Sequence, residues 1–194
     1  MTQNVTVKNV VIAGGGTAGW MAAVALSKLI GNSLNITLVE SDEISTVGVG
    51  EATIPPIMMF HKLLRINEAE FMRKVNATFK LGIKFENWKE TTGEYFHSFG
   101  TTGQNCWATH FLHFFNQGKK FNFSENYDTY NLELQSCINN KFAHLPNNGM
   151  NYAYHMDAGL YAKFLREISE SNGVTRIEGK ISKVTLDESN GFIS

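Results

Sequence analysis

The chain has 194 residues, enough for one domain or one domain and part of a second. It is 43% hydrophobic and 18% charged, which excludes a disordered chain. Lys and Arg total 17 against 18 Asp and Glu, so no basic surplus draws it to nucleic acid or an anionic membrane, and no apolar run reaches the roughly 18 residues that span a bilayer.

The start, Met-Thr-Gln-Asn-Val-Thr, lacks the charged and apolar regions of a signal peptide, and a cytoplasmic location is expected. Residues 8–13, Lys-Asn-Val-Val-Ile-Ala, predict a strand buried on both faces. Gly14-Gly15-Gly16-Thr17-Ala18-Gly19 follows and satisfies G-x-G-x-x-G. An Ala-, Leu- and Met-rich helix over 20–30 comes next, stopped by Gly31-Asn32. Residues 35–40 predict a second strand, which ends in Glu40.

Each part has a physical use. Gly14 permits the tight turn, and Gly16 lets a pyrophosphate reach the N–H groups and positive dipole end of the helix. Gly19 allows close helix–strand packing, and Glu40 can accept from a ribose 2′-OH about 20 residues after the fingerprint. Strand, glycines, helix, strand and acid in that order indicate a dinucleotide site in an α/β fold. FAD and NAD both fit, and NADP is disfavoured.

Residues 47–56, Val-Gly-Val-Gly-Glu-Ala-Thr-Ile-Pro-Pro, describe an extended segment that ends in a turn. Close approach of its backbone to a flat ligand would explain its glycines. Asn67-Glu68-Ala69-Glu70 predicts a capped helix start. Alternation over 79–85 puts Phe79, Leu81, Ile83 and Phe85 on one face and Lys80, Gly82 and Lys84 on the other. By pattern alone, Lys80 is a solvated lysine on a half-buried strand. His110 and His113 have no third ligand nearby, so metal binding is not expected. Residues 101–150, rich in Phe, Asn and Tyr, predict short elements, with core packing the commoner use of their aromatics. Asp157 predicts a helix cap, with Leu160, Phe164, Leu165 and Ile168 facing inward to about Glu170. A third parallel strand is expected over 174–184.

Gly-Gly-Gly-Thr-Ala-Gly-Trp, then Gly-Val-Gly-Glu-Ala-Thr-Ile-Pro, then Phe79-Lys80-Leu81-Gly82-Ile83-Lys84-Phe85-Glu86-Asn87-Trp88 resembles the flavin-dependent tryptophan halogenase family. Phe96-His97-Ser98-Phe99-Gly100 and Tyr154-His155-Met156-Asp157-Ala158 are similar to family segments in the same order. The resemblance implies a Rossmann-like FAD-binding fold of the glutathione-reductase and aromatic-hydroxylase type, cut before its sheet is complete. It implies residues 1–60 as the first part of the FAD domain, 61–150 as a substrate-side insertion and 151–194 as an incomplete return to the FAD domain.

It further implies an FADH2-dependent halogenase. Reduced FAD, oxygen and a halide ion, chloride or bromide, yield hypohalous acid, which passes to a catalytic lysine matching Lys80 and then halogenates an electron-rich, tryptophan- or indole-like aromatic. By the same match Gly14, Gly16, Thr17, Ala18, Gly19 and Glu40 contact the diphosphate and adenosine of FAD. Gly48, Gly50, Glu51, Ala52 and Thr53 form a strap over the flavin. Ile181 matches a strand position whose backbone meets adenine. His97 and Phe99 match positions near the aromatic substrate. A separate flavin reductase supplies the FADH2. An aromatic monooxygenase and a truncated nucleotide-binding remnant are the competing expectations. The family's Trp-x-Trp-x-Ile-Pro motif and partner acid are expected beyond position 194, and the 194-residue piece alone is expected to be inactive.

Overall fold

The computed structural model describes residues 6–44, 50–144 and 149–193. β1 (Asn9–Ala13) runs through the glycine turn into α1 (Thr17–Leu29), and β2 (Asn35–Glu40) follows a 3-10 turn at Gly31–Ser33. β3 (Gly50–Ala52), α2 (Pro56–Leu63) and α3 (Glu68–Lys74) come next. β4 (Thr78–Lys80), β5 (Gly82–Glu86) and β6 (Glu94–Ser98) precede α4 (Phe111–Lys120) and α5 (Leu132–Ile138). β7 (Ala153–Asp157), α6 (Ala158–Ser171) and β8 (Thr175–Glu178) complete the order.

The chain divides into two compact units. The first comprises Met1–Glu51, His61–Ala77 and Met156–Ser194; the second comprises Ala52–Phe60 and Thr78–His155.

The first unit is built on a parallel sheet in the order β1-β2-β8. Asn9 pairs with Asn35 and Ala13 with Val39, while Thr37 pairs with Thr175 and Glu40 with Glu178. Parallel neighbours need a crossover between them, and α1 supplies it from β1 to β2. Trp20, Ala23, Val24 and Ser27 are buried along α1, an i, i+3, i+4, i+7 stripe. That stripe packs on α6, where Ala158, Tyr161, Ala162 and Leu165 are buried. Alanines on both helices permit close approach. The Asn67 side chain accepts from the Glu70 N–H, and the Asp157 side chain accepts from the Leu160 N–H, so both expected caps form. Phe164 and Leu165 are buried as expected, while Leu160 and Ile168 are half-buried.

Two strand expectations change in this unit. β1 is not buried on both faces: it alternates exposed and half-buried residues, with Val11 exposed. The strand lies at one edge of the sheet order, and α1 packs against it. The third strand ends at Glu178, short of the expected 184.

The second unit holds two antiparallel pairs. β4 pairs with β7, placing Lys80 opposite Ala153 and Phe79 opposite Tyr154. β5 pairs with β6, placing Gly82 opposite Ser98 and Ile83 opposite His97. The expected single strand over 79–85 is therefore two strands, which break at Leu81 and join different sheets. The break undoes the predicted alternation. Lys80 and Leu81 are both buried, whereas Lys84 is exposed and bridges Glu86 and Glu94. Residues 101–150 supply α4, α5 and a 3-10 turn at Tyr127–Tyr130. Core packing is not the use of their aromatics: among the described residues of this stretch no aromatic is buried, Trp107 and Phe123 are exposed, and half-buried Phe142 stacks on Phe79 with ring centroids 3.7 Å apart.

Candidate active site

The glycine turn has the shape that its spacing predicts. Gly14 has φ +112°, a conformation closed to side chains, and its N–H donates to Val39 O at 2.9 Å. A β-carbon on Gly19 would lie 2.0 Å from Gly14 O, so only glycine lets α1 start this close to β1. Gly16 is the helix N-cap, with open space around its Cα and no side-chain cap. The N–H groups of Thr17, Ala18 and Gly19 lie in the first turn, where no helical acceptor exists. Thr17 Oγ1 is buried without a hydrogen-bond partner among the described residues. These groups fit an anionic diphosphate: uncapped donors, a positive dipole end and room at the backbone.

Glu40 closes β2 beside this turn. Its Oε2 lies 1.4 Å from where a Gly15 β-carbon would sit, so the carboxylate leans directly over the fingerprint. Trp20 Nε1 donates to Oε2 at 3.2 Å, and Arg176 Nε donates to Oε1 at 2.6 Å. Arg166 lies 3.6 Å from Oε1, and Arg176 also bonds Asp42. The Glu40 and Asp42 charges push the Arg176 guanidinium up from its ordinary value, chiefly through the Glu40 hydrogen bond. A cavity of about 280 Å³ opens here, lined by Gly15, Trp20, Glu40, Asp42 and Arg166 among others. Each carboxylate oxygen has two lone pairs, so Glu40 keeps acceptor capacity for ribose hydroxyls.

Sequence reasoning missed Arg176. Its signal was a charged residue inside a short strand, which implies a nearby counter-charge. Ile181 is not on a strand, because β8 has already ended; it is exposed in an irregular stretch.

In the second unit the structure brings together Lys80, Thr53 and Phe99. Lys80 is 7% exposed. Its Nζ donates to Thr53 O at 2.9 Å and lies 5.4 Å from the centre of the Phe99 ring. Burial lowers the pKa of the amine below its ordinary value. Thr53 is itself fixed, since its N–H and hydroxyl both bond Tyr154 O, at 2.9 and 3.1 Å. Phe99 is held by its N–H to Leu81 O at 2.9 Å.

His155 feels the same cation. Its pKa is lowered first by desolvation and then by the Lys80 charge. His97 lies on β6 with an exposed side chain and is not drawn to Lys80. Gly50, Glu51 and Ala52 are exposed on β3, and Gly48 lies outside the described residues. An ammonium with three donors, one committed to Thr53 and one side against an aromatic face, can hold and polarise an oxidised electrophile.

Residues 9–194 match the tryptophan halogenase family. The chain belongs to that family. Tryptophan 7-halogenase RebH of Lentzea aerocolonigenes is 36% identical over 206 residues, which cover 96% of this chain and 38% of RebH. The structure of Xcc4156, a flavin-dependent halogenase from Xanthomonas campestris, is 57% identical with a TM-score of 0.91, covering 98% of this chain and 38% of that one. BrvH, a flavin-dependent halogenase from Brevundimonas sp. BAL3, is 36% identical with a TM-score of 0.84, covering 96% and 38%. The chain thus spans about 38% of the length of RebH, and its α/β fold is that of the matching part of the flavin-dependent halogenases.

Proposed function

We propose that this chain carries the nucleotide-binding and lysine-bearing part of a flavin-dependent halogenase acting on an electron-rich, tryptophan- or indole-like aromatic. The observation that carries the proposal is Lys80, a buried ammonium held by a backbone carbonyl and faced by an aromatic ring.

The first turn of α1, with Gly14, Gly16, Thr17, Ala18 and Gly19, would hold the diphosphate of FAD. Glu40 would take the adenosine ribose. Gly50, Glu51, Ala52 and Thr53, with Gly48, would form the strap beside the flavin. Bound as FADH2, the cofactor would supply the two electrons by which dioxygen and a halide ion become hypohalous acid and water.

Lys80 then does the work that this chain contributes. Two of its N–H donors remain after the bond to Thr53. They can hold the oxygen of hypohalous acid and draw electrons from the oxygen–halogen bond as the aromatic carbon attacks halogen. The aromatic loses its proton, and the hypohalous oxygen leaves as water. A lowered pKa also favours the neutral amine, whose nitrogen can take halogen from hypohalous acid: the oxygen–halogen bond breaks, and the oxygen leaves as water with the amine proton. Phe99 and His97 are proposed to face the aromatic substrate.

In this reading residues 1–60 and 151–194 serve the cofactor and 61–150 the substrate side. A separate flavin reductase supplies FADH2 in the cytoplasm. Among the described residues no helix is long and apolar enough to cross a membrane.

The test supplies the full-length protein with reductase-generated FADH2, bromide and indole as the probe. The proposal expects bromoindole whose yield depends on bromide. Hydroxyindole formed at the same rate with or without halide would replace it with the monooxygenase.

A further inference from the structure

We propose that Glu133 is a positioning residue for the Lys80 site, tying together the two segments that flank the lysine. The inference deepens the reading of Lys80 given above and rests on it.

Glu133 lies in the first turn of α5 and is only 5% exposed. A buried carboxylate is costly and needs a structural return. Here it meets two backbones. Its Oε1 accepts the Asn151 N–H at 2.8 Å. Its Oε2 lies 1.6 Å from where a Gly100 β-carbon would sit. The carboxylate therefore fills the space that glycine leaves at 100.

Both backbones lead directly to Lys80. Asn151 is two residues before Ala153, the β7 partner of Lys80. Gly100 follows Phe99, whose ring faces the Lys80 ammonium. A neighbouring network fixes the same corner. Ser98 Oγ donates to Asn131 Oδ1 at 2.7 Å, Asn131 Nδ2 donates to Thr102 Oγ1 at 3.1 Å, and the Gly100 N–H donates to Ser98 Oγ at 3.0 Å. Asn131 Oδ1 also accepts the Leu134 N–H at 2.9 Å, so the α5 cap and the β6 end share one acceptor. Without Glu133, the Phe99–Gly100 segment and the approach to β7 lose their common anchor. The face of Phe99 and the ladder under Lys80 are then free to drift apart.

The test needs a readout that does not depend on turnover. Lysines of the full-length protein are reductively 13C-methylated, and Lys80 is assigned by its absence in Lys80→Ala. In the wild-type protein the Lys80 signal titrates below that of Lys84. Glu133→Ala is expected to move it toward the ordinary lysine midpoint of about 10.4 as the pocket loosens. Glu133→Gln keeps an acceptor for the Asn151 N–H and is expected to hold the wild-type midpoint. Gly100→Ala displaces the carboxylate without deleting it and is expected to shift Lys80 in the same direction, so a Glu133→Ala protein that does not fold leaves the test standing.

With FADH2, bromide and indole, Glu133→Ala should lower kcat by about 10- to 100-fold at unchanged flavin affinity. A Lys80 signal that stays at its wild-type midpoint in folded Glu133→Ala or Gly100→Ala protein would overturn the assignment. A wild-type protein that fails to halogenate indole, while Lys80 still shifts on loss of Glu133, would sink the halogenase reading and leave the positioning role in place.

Discussion

The Lys80 ammonium donates to Thr53 O over 2.9 Å, so the residue that follows β3 and the end of β4 are joined within one compact unit. The bond uses a backbone acceptor, which the Thr53 hydroxyl helps to hold in place through Tyr154. It also leaves Lys80 unpaired with any carboxylate among the described residues. A buried cation that meets only a carbonyl and an aromatic ring is desolvated without full compensation. That state suits the role proposed for Lys80.

Gly19 gives the sharpest prediction about the nucleotide turn. On helix propensity alone, Gly19→Ala in α1 would stabilise the chain by about 1 kcal/mol. The 2.0 Å approach of a β-carbon to Gly14 O reverses that sign. Gly19→Ala is expected to cost about 1–3 kcal/mol and to abolish FAD binding. Chemical denaturation and flavin titration check both. A more stable variant would mean that the turn has slack absent from this structure.

Glu40 is expected to matter for the adenosine end of the cofactor alone. Glu40→Ala removes the acceptor, frees the Trp20 indole N–H and leaves Arg176 with Asp42 alone of its two carboxylates. FAD affinity should fall about 10- to 100-fold, the worth of a charge-assisted hydrogen bond. FMN, which has no adenosine, should bind the variant and the wild type alike. Calorimetric titration of the two flavins separates these outcomes. Equal losses for both would place Glu40 outside the ribose site.

The contrast between Glu40 and Lys80 explains how much was legible in the sequence. Gly14 to Gly19, Glu40, and the caps at Asn67 and Asp157 are local signals. Each depends on neighbours within one strand–helix unit, so spacing carries them. The burial of Lys80 was not legible, because the strand breaks at Leu81 and the alternation rule stops there. Arg176 was missed because its partner Glu40 lies 136 positions away in sequence. Glu133 was missed for the same reason: Gly100 and Asn151 reach it only through the fold. Ile181 shows the opposite error, in which a strand pattern continued past the last residue that pairs with β2.

His61 makes a prediction about pH. It is buried against Phe71 and Tyr161, with Nε2 and the Tyr161 hydroxyl 2.8 Å apart. Burial lowers its pKa from 6.5 to about 4, partly offset by Glu68. The unfolded chain therefore binds this proton more readily than the folded one. The His61 contribution to stability is complete above about pH 6.5 and is lost as pH falls toward 4. The gap corresponds to about 3 kcal/mol. Unfolding free energies at several pH values should fall more steeply across that window for the wild type than for His61→Gln. Parallel curves would contradict the assignment.

The central claim is that Lys80 transfers the oxidised halogen. The direct measurement is a pair of rates on Lys80→Met in the full-length protein, supplied with FADH2 and bromide. Hypobromite is counted with a diffusible trap when indole is absent, and bromoindole is counted when indole is present. The prediction is wild-type oxidation of flavin and release of hypobromite, with bromoindole formation reduced at least about 100-fold. Bromoindole formed by Lys80→Met at the wild-type rate would contradict it.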